Sequence, residues 1–220
     1  PRLAGVIADY ERVVKQRNAL LKTRTSAAAL APWNEQLIKL GAELTAERIA
    51  LIDALNPHVA KNYANLNEVK PASISYKCST EGVTRNIDEN IAALTARLDE
   101  VAYQEIERGV TLVGPHRDDM EVMIGELPAK GYASHGESWS VALALKLASF
   151  DLLKATSPAG DPVLILDDVF AELDAARRNQ LILRVKNVEQ VLITAAVMED
   201  VPKELVGNKL FVNNGKVESL

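Results

Sequence analysis

Apolar residues recur along this chain with two periods, and the alternation between them predicts its elements. Val6 to Leu21 and Pro32 to Leu55 carry apolar groups at helical spacing, with a shorter helical piece after Asn56-Pro57. Pro32 suits the first turn of a helix, and Pro57 is expected to close the long one, because proline has no N–H to offer the preceding turn. No heptad repeat is sustained over enough turns for a free-standing coiled coil. Ala72 to Ser79 alternates small or polar groups with larger ones, the period of a half-buried strand. Ile87 to Glu107 returns to helical spacing, with Ile91, Leu94, Leu98, Val101 and Ile106 on its core side. Beyond Gly109 strand residues take over, and Met120 to Ile124, turned by Gly125, predicts a hairpin or an edge strand.

The second half changes pattern again. Ser138 to Lys154 is apolar at 141, 145, 148 and 152 and again at 143, 147 and 150, so most of this helix's surface is expected to be buried. Val163 to Leu166 is a continuous apolar run started by Asp161-Pro162, which predicts a strand covered on both faces in a parallel sheet. Arg177 to Val188 reads as a helix and Val191 to Thr194 as a second buried strand. Leu210 to Val212 and Lys216 to Glu218 flank Asn-Gly, the signal of a tight hairpin. Helices followed by strands and helices in alternation make the expected fold class α/β.

Two places in this pattern carry candidate chemistry. Asp167 and Asp168 follow the Val163–Leu166 run, and ligands of open α/β sheets collect beyond the carboxyl ends of such strands. Adjacent strand residues face opposite ways, so the two carboxylates are expected to take different tasks. An apolar strand ending in Asp is the Walker B pattern of P-loop NTPases, in which the first Asp helps hold Mg²⁺ and the second is free to orient or deprotonate water. A helix cap or turn accounts for the same two residues. Upstream, Ser134-His135-Gly136-Glu137 opens the long apolar helix. Gly136 would let backbone approach a ligand closely, and the helix start offers free N–H groups suited to phosphate, with a hydroxyl from Ser134. A plain serine N-cap also explains Ser134, and for a lone Ser-x-Gly it is the preferred reading.

Composition narrows the setting. The 220 residues have 48% hydrophobic and 25% charged content, ordinary for a globular chain of one large domain or two small ones. Cys78 is the single cysteine, so no intrachain disulfide can form and a reducing, cytoplasmic compartment is expected. No apolar run has the length of a membrane span, and no membrane partner is expected. The net charge of −5 argues against a uniformly basic nucleic-acid binder. Locally, however, Arg12, Lys15, Arg17, Lys22 and Arg24 face one acid between residues 11 and 24, which suits either a solvated helix face or a phosphate-contacting surface. Gly114-Pro115-His116-Arg117-Asp118-Asp119 is the most polar cluster of its half and could neutralise itself internally. His58, His116 and His135 lack metal-ligand spacing, so no zinc site is expected.

Ser134-His135-Gly136-Glu137 resembles the signature motif of ABC-type ATPases in the form used by their SMC-like branch. Leu166-Asp167-Asp168-Val169 with Ala171-Glu172-Leu173-Asp174 resembles that branch's Walker B and D-loop. With Gly114 to Asp119, the Ala-Leu-Ala-Leu-Lys-Leu-Ala run at 142–148 and Gln190 to Ala196, the chain is similar to the RecF family from Tyr10 to near its end.

The resemblance implies an incomplete ABC-type P-loop ATPase head, with residues 1–108 as a mostly helical arm lobe and 109–220 as the C-terminal part of the head. Its cofactors would be ATP and Mg²⁺: Asp167 holding the metal, Asp168 acting as catalytic base, and Ser134, Gly136, Glu137 and Asp174 contacting nucleotide across an ATP-dependent homodimer. It implies duplex DNA near single-strand gaps as partner, with Arg12, Lys15 and Arg17 as candidate contacts, RecR and RecO as further partners, and roles in gap repair, recombinase loading and the SOS response. Many ABC ATPases carry a histidine after the second strand, where this chain has Thr194-Ala195-Ala196, so a switch would have to come from Thr194 or from backbone. The Gly-x-x-x-x-Gly-Lys-Ser/Thr loop that cradles phosphates does not occur, so the chain is expected to be the C-terminal segment of a longer protein and inactive alone. Another SMC-like ATPase, or a non-hydrolysing interaction scaffold, is the alternative.

Overall fold

The structure, a computed structural model, describes residues 2–66, 69–171 and 173–219. Two compact units divide the chain: Pro1–Pro57 with Ala72–Ala133, and His58–Pro71 with Ser134–Leu220. This packing differs from a cut at 108, because residues 109–133 pair with the strand and helices that precede them.

The first unit holds α1 (Arg2–Lys22), α2 (Ala27–Leu66) as far as Pro57, β1 (Ala72–Lys77) and α3 (Ile87–Arg108). After these come β2 (Asp119–Ile124), β3 (Leu127–Pro128) and a single distorted turn, α4 (Ala129–Tyr132). Pro57 does not end α2, which runs unbroken for 40 residues. Proline forfeits one donor and crowds the preceding turn, but a helix tolerates it where the freed carbonyl finds another partner. Here Pro57 instead marks where α2 passes from one unit to the other.

The core gathers Tyr10 and Val13 of α1, Leu37 and Leu44 of α2, Leu94, Leu98 and Val101 of α3, and Val113. α3 is well delimited. Asn86 caps it through the amides of Asp88 and Glu89, and Gly109, at φ 65°, ends it with a bond to the Glu105 carbonyl. The sheet order is β1-β2-β3, antiparallel throughout, so β2 is the central strand and, of the two alternatives, makes the hairpin, with β3 across the turn at Gly125; Ile74 faces Val122 across the first pair.

The second unit holds α5 (His135–Thr156), β4 (Leu164–Asp167), α6 (Ala175–Val185), β5 (Val191–Thr194) and the hairpin β6 (Leu210–Asn213) and β7 (Lys216–Ser219). β4 and β5 are parallel, with Leu164 opposite Val191 and Asp167 opposite Thr194. The hairpin turns through Asn214 and Gly215, both at positive φ as a type I′ turn requires. Leu164 and Leu166 are buried, but Ile165 is 64% and Leu192 50% exposed. Within this chain, therefore, one face of β4 and β5 is covered. No helix among the described residues is long and apolar enough to cross a membrane.

Candidate functional site

The two aspartates after β4 are set by different forces. Asp167 is the last residue of the strand, exposed, and its carboxylate accepts a hydrogen bond from the Thr194 hydroxyl at the end of β5. Asp168 lies beyond the strand at φ 51°, a left-handed conformation that costs a non-glycine residue about 1 kcal/mol. Its N–H is shared between the Thr194 carbonyl and hydroxyl, each at 3.2 Å. Strand alternation therefore does not orient Asp168; the turn and Thr194 do. Among the described residues the Asp168 carboxylate has no hydrogen-bond donor, which leaves it free to accept a proton.

The chain then turns over the buried Phe170 and Leu173 to Asp174, the N-cap of α6. One carboxylate oxygen of Asp174 accepts from the Arg177 amide at 2.9 Å and the other from the Arg177 guanidinium at 3.0 Å. Glu172, between Phe170 and Leu173, lies outside the described residues.

Ser134 proves to be the N-cap of α5, so the Ser-x-Gly-Glu segment is the helix's own first turn rather than a loop before it. Its hydroxyl accepts from the Glu137 amide at 3.2 Å, while the Glu137 carboxylate accepts from the Ser134 amide and hydroxyl, both at 2.9 Å. This reciprocal capping box satisfies two orphan donors of the helix start. Lys70 adds an ion pair at 3.0 Å to the other Glu137 oxygen. The Ser134 amide foremost, then Lys70 and the Ser134 hydroxyl, hold the Glu137 carboxyl down at about 2. Gly136 has no positive φ, and a Cβ there would lie 3.2 Å from Arg177 Nη1.

A magnesium ion at Asp167 would find one exposed carboxylate and a neighbouring hydroxyl. Among the described residues no group of three or more His, Cys, Asp or Glu side chains could hold a metal. Such a sparse donor set fits Mg²⁺, which keeps waters and takes one or two carboxylates together with phosphate oxygens.

The candidate DNA residues separate. Arg12 is exposed and pairs with Asp9 at 3.0 Å, and Lys15 is exposed. Arg17 is 2% exposed and unavailable to any phosphate. Its Nε donates to Asn34 at 2.7 Å, Nη1 to the Thr111 hydroxyl at 3.0 Å and Nη2 to Glu105 at 2.5 Å. The helical pattern places Ile106 on the core side of α3, but it is the wholly buried Glu105 that points inward, and its second oxygen accepts the Leu112 amide at 2.6 Å. A charged residue at a core position carries no sequence signal; a partner 88 residues away makes it possible.

The cluster from Gly114 to Asp119 is likewise spent internally. Gly114, at φ 117°, leaves room for Tyr10, whose hydroxyl would lie 2.3 Å from a Cβ there and instead bonds His116 Nδ1 at 2.8 Å. Burial depresses the pKa of His116 and raises that of Tyr10. Arg117 donates twice to the Thr111 carbonyl at 3.1 Å, and Asp118 accepts from Tyr76 at 2.6 Å and from the Ser79 amide and hydroxyl at 2.8 Å. Desolvation first, with the nearby Asp118 charge adding to it, pushes the Cys78 thiol up to about 11.

Curated proteins resemble the chain over nearly its whole length. The DNA replication and repair protein RecF of Streptomyces avermitilis is 52% identical over 229 residues, covering 99% of this chain and 61% of that protein. The RecF proteins of Clavibacter michiganensis and Beutenbergia cavernae are 46% and 47% identical, again over 99% of this chain and 60% and 63% of their own lengths. The chain thus spans about three fifths of these relatives. Among solved structures, the recombination mediator protein RecF-ATPrS of the RecFOR pathway superposes with a TM-score of 0.85 at 24% identity, covering 100% of this chain and 59% of that one. The RecF-ATP form gives 0.84 at 23% identity, a likeness of fold. No family model matches the chain.

Proposed function

Because this chain belongs to the RecF family, we propose that it forms the C-terminal part of an ATP-dependent DNA-binding protein of replication and recombinational repair. The first unit would serve as the arm and the second as part of an SMC-like ABC-type head. The observation that carries this reading is the end of β4: a parallel strand delivers Asp167 beside Thr194, and a left-handed turn then presents Asp168 with its carboxylate unengaged.

In the whole protein, ATP would sit between two heads, near Asp167 of one and the α5 start of the other, making two equivalent sites in a symmetric dimer. Magnesium, when bound, would offset phosphate charge and fix its oxygens. Thr194 holds one oxygen of Asp167, leaving the other open to the ion. Asp168 would take a proton from attacking water. At the facing surface the Ser134 hydroxyl, now donated to Glu137, would turn to a terminal phosphate oxygen, with Glu137 still held by the Ser134 amide and Lys70. ATP would then join the heads and slow hydrolysis would part them.

Duplex DNA near single-strand gaps is the proposed partner, with RecR and RecO as companions in recombinase loading, gap repair and the SOS response, in the cytoplasm. The capping box favours a second reading, in which Ser134 is only a cap and the head a non-hydrolysing scaffold. Asp168→Asn in the whole protein separates them. It is expected to keep ATP-induced dimerisation while slowing turnover by about 10²- to 10⁴-fold, the contribution of a general base. Turnover equal to wild type would remove Asp168 from the chemistry.

A further inference from the structure

Between Asp168 and Asp174 the chain crosses from the end of β4 to the cap of α6, and the path it takes decides where the Asp168 carboxylate points. Asp168 itself stands in the left-handed region at φ 51°, which a residue with a side chain keeps only where its surroundings fix it. Thr194 fixes the near end, through the Asp168 amide. The far end turns on the Phe170 carbonyl, whose own side chain is buried. That oxygen accepts from the Leu173 amide at 3.4 Å, a long bond, and from Arg178 Nη2 at 2.9 Å, a well-formed one.

Arg178 lies in the first turn of α6 beside Arg177, but the two guanidinium groups have different partners. Arg177 bonds Asp174, the cap of its own helix, whereas Arg178 reaches back past that cap to a residue eight positions earlier. The Arg178 side chain is half-buried, and its Nε is buried with no acceptor among the described residues. A buried donor left unpaired costs stability, so for packing alone an apolar side chain of the same length would serve the fold better. What such a side chain lacks is the donor to Phe170.

We propose that Arg178 is a positioning residue which, together with Thr194, clamps the turn after β4 from both ends, so that the Asp168 carboxylate keeps one orientation. The clamp concerns this chain's own backbone. Its consequence for hydrolysis rests on the function proposed above, in which Asp168 takes the proton.

Arg178→Met in the whole protein tests it, because methionine keeps the unbranched apolar stem and removes the donors and the charge. Steady-state ATP turnover should fall about tenfold in kcat, the size of one hydrogen bond to a charged group, with KM for ATP unchanged. The unfolding midpoint should not fall, since the unpaired Nε leaves with the guanidinium. Hydrogen exchange at the Asp168 amide, followed without nucleotide, should quicken about tenfold as the turn loosens. Added to Asp168→Asn, Arg178→Met should slow hydrolysis no further, as expected of two residues that act as one unit. Arg178→Lys, which keeps one charged donor on a shorter reach, carries the same test with a smaller slowing if methionine is not tolerated.

Wild-type kcat in Arg178→Met, or a slowing that adds in full to that of Asp168→Asn, would overturn the proposal. So would a lowered unfolding midpoint with unchanged exchange at Asp168, the mark of an arginine that only supports the fold. Should Asp168→Asn alone hydrolyse ATP like wild type, the functional reading falls, and exchange at the Asp168 amide still decides whether Arg178 clamps the turn.

Discussion

Arg17 in the first unit and Asp168 in the second are both charged side chains beside structured backbone, yet among the described residues every side-chain nitrogen of Arg17 is engaged and neither carboxylate oxygen of Asp168 is. Arg17 is enclosed by Asn34, Thr111 and Glu105, and around it Asn18, His116, Arg117 and Asp118 are similarly occupied. Asp168 stands at a strand end with only its amide engaged. Polar groups whose bonds are all made inside the fold hold it together. Those left with spare valence at strand ends are the ones available for chemistry.

The largest effect that would sharpen this contrast is expected at Arg17. Removing one partner of a buried pair leaves a charge uncompensated, so Arg17→Ala should cost about 3–5 kcal/mol in denaturant unfolding. A variant of wild-type stability would show that Glu105 finds other partners and that the network is not structural.

Ser134 should respond in the opposite way, through assembly more than stability. A hydrogen bond to a charged phosphate is worth about 1.5–3 kcal/mol, and an arginine at this position would also fill the approach. On the proposed function, Ser134→Arg in the whole protein should leave nucleotide binding by the monomer intact and abolish ATP-induced dimerisation in sedimentation. Unchanged dimerisation would reduce Ser134 to its capping role.

Arg12 and Lys15, exposed where Arg17 is buried, give a smaller effect. On the proposed function, neutralising both in the whole protein should flatten the salt dependence of duplex binding by about 0.9 log units for each phosphate that is no longer neutralised. A slope equal to wild type would leave α1's outer face merely solvated.

The smallest effect is a pH dependence at Glu137. Its folded pKa is depressed to about 2, so its contribution is present above the ordinary carboxylate value of 4.5 and is lost as pH falls through that window towards 2. Direct titration of its carboxylate by NMR checks this. A midpoint near 4.5 would mean that the capping box and Lys70 do not persist in solution.

Much of the fold can be read from the spacing of apolar residues, because period follows from backbone geometry that each segment carries locally. The bounds of α3, the β4 and β5 strands and the Asn214-Gly215 hairpin follow in this way, whereas α5 begins at His135, ahead of the apolar period that starts at Ser138. So does the placing of Asp167 at a strand end, since a break in an apolar run is visible in one dimension.

What period cannot convey is which polar residue meets which. Arg17 belongs to a basic run by sequence and to the core by structure, because Glu105 and Thr111 reach it from far along the chain. Pro57 is a helix breaker by propensity, yet α2 continues through it. Asp168 obeys a turn rather than the strand's alternation. The sequence by itself determined the elements, their order and the motifs at their ends, since these depend on neighbours along the chain. Only the tertiary structure decided which charges are buried and paired and which remain free, since desolvation and hydrogen-bond geometry are properties of contacts that exist only after the chain has folded.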